Sequence, residues 1–98
     1  MKGASVVIGY LALEIFLPFS RSLKDKRKVL NTLRDRVRGR FNASFAELDF
    51  QDKWQRSKIG IVTLNSQKGV VEEILQKICR DVEDNLPGEV TLSEFHYF

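Results

Sequence analysis

Ninety-eight residues, 43% hydrophobic and 30% charged, describe one domain over residues 1–98. Such a chain buries roughly 60 to 70% of its unfolded surface and needs no metal or disulfide to hold a core. The single cysteine, Cys79, excludes an intramolecular disulfide and suits a reducing compartment, so the cytoplasm is the expected location. The net charge of +3 conceals an uneven distribution. Residues 20–41 carry nine basic side chains against Asp25 and Asp35, a balance of +7, while the remainder carries seven basic and eleven acidic ones.

The run VVIGYLALEIFL at 6–17 is too short to span a bilayer, holds Glu14 in its middle, precedes Pro18 and has no small-residue cleavage site. It reads as a buried strand over 5–17, and no membrane partner is expected. Val7, Gly9, Leu11, Leu13, Ile15 and Leu17 form one apolar row; Ile8, Tyr10, Ala12, Glu14 and Phe16 form a mixed one. Pro18 ends the strand.

Ser22 followed by Asp25 reads as an N-cap with an acid at its third helical position, which starts a helix at about Leu23. At about 100° per residue, Leu23, Leu30, Leu33, Val37 and Phe41 form a core stripe. Lys24, Arg27, Lys28, Asn31, Arg34 and Arg38 fall along one flank of a helix of about 16 residues that Gly39 ends. A second strand follows at 41–50, with a phase slip between Phe45 and Leu48 that marks a bulge. After a polar hairpin loop, a third strand alternates over 55–65. Val71, Ile74, Leu75, Ile78 and Val82 repeat at helical spacing in a second helix over 67–85, stopped by Pro87 and Gly88, and the last strand spans 89–98.

The order βαββαβ, with right-handed crossovers and a hairpin between the middle strands, closes most simply as an α+β ferredoxin-like sandwich. It has a four-stranded antiparallel sheet with two helices on one face. The helix-free face is then left with Tyr10, Phe16 and Val62, a candidate partner surface for homodimer formation or a small regulatory ligand.

The residues SRSLKDKRKVL at 20–30 and WQR at 54–56 carry a resemblance to the YlxP-like family of small bacterial proteins, which covers almost the whole chain with residues 1–4 as a slightly extended start. The resemblance implies a ferredoxin-like fold and ribosome association, with no catalytic role.

Cations at successive helical turns suit a phosphate backbone, because binding releases condensed counterions. The expected interface to RNA or a ribosomal particle is therefore Arg21, Lys24, Arg27, Lys28, Asn31, Arg34, Arg38 and Arg56. Recognition would be by shape and phosphate. The competing reading is a solvated face that answers Glu47, Asp49 and Asp52; two local acids among nine cations favour binding. Lys26 falls in the core stripe, where a buried ammonium needs a carboxylate or carbonyl partner, and snorkelling past the sheet edge is expected instead. Trp54 is expected to fill a gap beneath the hairpin rather than stack on a base.

Acylphosphatases share the strand order and hold phosphate in a loop at a helix N-terminus, but their GxVQGVxFR signature is replaced here by LPFSRSLKDKR. Capping accounts for Ser20 and Ser22, so no catalytic residue is assigned. RNA recognition motifs also share the topology, yet the third strand, KIGIVTLN, lacks their stacking aromatics. His96 and Cys79 lack companions at metal spacing, and Asp49 with Asp52 is a weak pair, so no metal or cofactor is expected.

Overall fold

The computed structural model describes residues 5–98; the extended start at 1–4 lies outside them. Six elements follow in the expected order: β1 (Val7–Phe16), α1 (Leu23–Arg40), β2 (Ser44–Asp49), β3 (Arg56–Asn65), α2 (Lys68–Asn85) and β4 (Glu89–Tyr97). The strands form one antiparallel sheet in the order β2-β3-β1-β4, and both helices pack on the same face, which makes the fold ferredoxin-like.

The two-residue period of β1 divides its side chains as expected. Leu11, Leu13 and Ile15 are buried under the helices with Ile59 and Ile61 of β3, Phe45 of β2, Leu30, Leu33 and Val37 of α1, and Val71, Leu75, Ile78 and Val82 of α2. Each such side chain contributes about 1.5–3 kcal/mol of burial free energy. A Cβ at Gly9 would collide with Val71 and come within 2.7 Å of Leu75, so its lack of a side chain lets α2 settle directly on β1.

Ser22 caps α1 as expected: its Oγ accepts the Asp25 N–H at 3.0 Å, and the Asp25 carboxylate accepts the Arg21 N–H at 3.0 Å. The helix runs past Gly39 to Arg40 and is 18 residues long rather than about 16. It stops because Phe41 turns extended while its N–H still bonds the Val37 carbonyl at 2.9 Å, and β2 accordingly begins at Ser44 and not at residue 41. The expected bulge is present, with the β2–β3 register shifting between Glu47 and Asp49. Among the described residues, no helix is long and apolar enough to cross a membrane.

Candidate nucleic-acid interface

Because α1 packs beside the short edge strand β2, one flank of the helix and that edge form the walls of a groove of about 290 Å³. Arg27, Asn31, Arg34 and Arg38 line it together with Leu30, Phe45, Ala46 and Glu47. Lys28 is not among them. It lines a cleft with Thr32, Leu33, Asn85 and Pro87, so the flank drawn from the helical period is split between two surfaces. Lys24 is exposed on the first turn of α1, and Arg21 is exposed in the loop before it.

The ion pairs decide which of these cations remain available. Arg36 forms a two-pronged pair with Asp81, at 2.7 and 3.0 Å, that fastens α1 to α2, and Arg40 approaches the same carboxylate at 3.6 Å. The Asp81 hydrogen bond raises the Arg36 pKa still further. Arg34 pairs with the neighbouring, largely exposed Asp35 at 3.0 Å and donates to the Asn31 side-chain oxygen at 3.2 Å. An exposed pair of that kind contributes about 0–1 kcal/mol and exchanges readily for another anion. Among the described residues, Arg21, Lys24, Arg27, Lys28 and Arg38 make no ion pair.

Glu47, the one acid among the residues lining the groove, is already engaged. It pairs with Lys26 Nζ at 2.9 Å and accepts from Ser57 Oγ at 2.7 Å. Lys26 does not snorkel: it is 1% exposed and also donates to the carbonyls of Phe50 at 2.8 Å and of Gln51 and Arg56 at 3.3 Å. The hairpin folds over it because Phe50 takes a left-handed backbone, φ 62°, that aims its carbonyl inward. For a bulky residue that conformation is strained, and the lysine bond offsets the strain. The expectation failed because the carbonyls come from a loop whose path helical periodicity does not describe.

Trp54 also departs from expectation. Its side chain is 55% exposed and fills no gap beneath the hairpin. It shares a cleft with Phe16 and Arg56 at the far end of the sheet from Tyr10 and Val62, which are register partners on the open face. Arg56 therefore lies away from the α1 groove, over the Phe50 ring at 4.0 Å and 3.4 Å from Glu14. A signal for this placement exists in the chain: Asp52, Lys53, Gln55 and Arg56 surround Trp54 with polar residues and leave it no apolar row to join.

Ser20, Cys79 and His96 each have a partner within the fold. Ser20 Oγ donates to the Ser22 carbonyl at 3.1 Å, which with the cap bonds commits the polar groups of the β1–α1 loop to the helix start. Cys79 is buried and donates to Glu83 at 3.1 Å; burial first, then that carboxylate, push its pKa up to about 12. His96 stacks on Tyr10 with ring centroids 5.7 Å apart. No cluster of three or more potential metal ligands occurs among the described residues.

Against known proteins, the profile of a family described as "Protein of unknown function (DUF503)" matches residues 8–95. The chain is also 33% identical over 92 residues to the "Uncharacterized protein YlxP" of Bacillus subtilis (strain 168), a match covering 94% of this chain and all of the relative.

Proposed function

The chain belongs to the DUF503 family, and we propose that it is a non-catalytic binding module of the cytoplasm that docks on RNA or an RNA-containing particle such as the ribosome through the α1–β2 groove. The observation that carries this reading is the row Arg27, Arg34 and Arg38 with Asn31 between them. Among the described residues, two of these guanidiniums have no ion-pair partner and the third holds only an exposed one. From Arg27 to Arg38 the row is about 16 Å long at 1.5 Å per residue, enough to meet several phosphates. The acid that lines the groove is engaged from inside by Lys26, so among the described residues only the exposed Asp35 answers the row.

Guanidiniums carried along one helix flank match phosphate oxygens by paired N–H donors. They carry no base-specific readout, so binding depends on shape and charge. Replacing Arg27, Arg34 and Arg38 together with glutamine lowers the slope of log K against log salt by about 2 to 3, at roughly 0.7–0.9 for each phosphate that is no longer neutralised. The measurement is filter binding or anisotropy with a folded RNA across a salt series, with circular dichroism to verify the fold. A slope equal to that of the wild type removes the proposal.

A second reading rests on the open face of the sheet. Leu64, Ile8 and Phe98 make an apolar row across β3, β1 and the end of β4, with Leu64 58% and Phe98 73% exposed. Val62, Tyr10 and His96 form the next row. Such a surface suits a homodimer.

A further inference from the structure

At the hairpin end of the sheet, Trp54 and Phe16 border an open cleft of about 440 Å³ that Asp52, Lys53, Gln55 and Arg56 complete. Trp54 is 55% exposed and Phe16 is 37% exposed. The hairpin backbone beside the indole is held by other side chains. Gln55 donates through Nε2 to the carbonyls of Pro18 and Ser20 at 3.1 and 3.2 Å, and its own carbonyl accepts the Leu17 N–H at 2.8 Å. Lys26 holds the carbonyls of Phe50, Gln51 and Arg56 from beneath. The Arg56 guanidinium is fixed between the Phe50 ring and Glu14. A large aromatic side chain is thus left more than half exposed on a braced hairpin.

The lining narrows the occupant. Two aromatic side chains suit a flat π-system, and Lys53 and Arg56 supply positive charge beside it. A free phosphate would gain nothing from the aromatic surfaces, and an aliphatic group would gain nothing from the cations. Asp52 adds an acceptor suited to an exocyclic amine and opposes an anion lodged in the cleft itself. The cleft and the basic groove share no lining residue, and the hairpin stands between them. Lys26, the neighbour of Arg27, bonds the Phe50 carbonyl, and the Phe50 ring lies under Arg56.

We propose that this cleft receives an unpaired nucleobase, stacked on Trp54, of the same RNA whose phosphates lie along the α1–β2 groove. The inference rests on the RNA reading and adds to it that the bound RNA is single-stranded, looped or bulged where it rounds the hairpin. Base stacking on an aromatic side chain is tolerant of sequence.

Trp54 is the only tryptophan in the chain, so intrinsic tryptophan emission reports on this cleft and nowhere else. The experiment titrates the full protein with a 5′-labelled single-stranded oligoribonucleotide and, separately, a blunt RNA duplex, following label anisotropy and tryptophan emission together. The expected result is that both RNAs bind, that only the single strand quenches emission, and that Trp54→Ala weakens the single strand by about 5- to 150-fold while leaving duplex affinity and salt slope unchanged. Trp54→Phe retains part of the single-strand preference, which separates stacking from a folding defect. Binding of both RNAs with unchanged emission, and wild-type affinity in Trp54→Ala, overturns the base site and leaves the groove standing. If neither RNA raises the anisotropy, the base site and the groove fall together. An emission change on diluting the protein without RNA assigns the cleft to a second copy of the chain and overturns the base site too.

Discussion

Removing the ammonium of Lys26 leaves Glu47 and three carbonyls facing one another around a void that neither water nor an apolar side chain fills well. Breaking a buried ion pair by removing one partner costs about 3–5 kcal/mol, because the other charge keeps its desolvation penalty without its compensation. Lys26→Ala is therefore expected to lower stability by that amount in denaturant unfolding, and adding Glu47→Leu to recover part of it. A cost within about 0.5 kcal/mol would mean that the hairpin is held by its other bonds and that the lysine is incidental. The same residue has a second role: by holding the Glu47 charge from within, it keeps the groove acid from competing with a polyanion for Arg27 and Arg38. Lys26 was legible in the chain as an anomaly, a cation in an apolar stripe, but its resolution was not, because Glu47 and the hairpin carbonyls are contributed by distant positions.

The elements themselves follow from local physics. The alternation in β1, the N-cap at Ser22 and the apolar repeat of α2 each express a period or a hydrogen-bond need satisfied within a few residues, and all three appear as expected. One boundary drifted: the helix passes Gly39 because the Phe41 N–H still finds the Val37 carbonyl, a bond of the helix's own backbone. How closely α2 sits on β1 depends on one missing methyl group. Gly9→Ala places a Cβ against Val71 and Leu75 and is expected to cost about 1–3 kcal/mol by overpacking. Combining it with Leu75→Ala should cost less than the sum of the two single changes, as measured by a double-mutant cycle. Full additivity would show that the helix has room to move off the strand.

On the scale of the whole molecule, the sheet separates two surfaces. The helix side carries the basic groove at the β2 edge, and the opposite side carries the apolar rows through Leu64 and Val62. If the open face pairs two copies, light scattering of the wild type gives twice the chain mass and Val62→Glu restores a monomer, since a charge at the centre of a dry contact goes unpaired. A wild-type monomer at high concentration removes that second reading and does not touch the groove.

Periodicity, capping and turn chemistry act over a few residues, so the chain by itself determined the order of elements, the two faces of β1 and the presence of an unusually basic first helix. Which cations of that helix stay available was decided only in three dimensions. Arg36 meets Asp81 across 45 positions, Lys26 meets carbonyls 24 to 30 positions away, and Lys28 is turned toward the end of α2. Charge neutralisation and exposure depend on distance in space, and a helical wheel contains no partner from elsewhere in the fold. The polar neighbours of Trp54 hint at its exposure in the chain itself, but the bracing of the hairpin by Gln55 and Lys26 is a property of the fold.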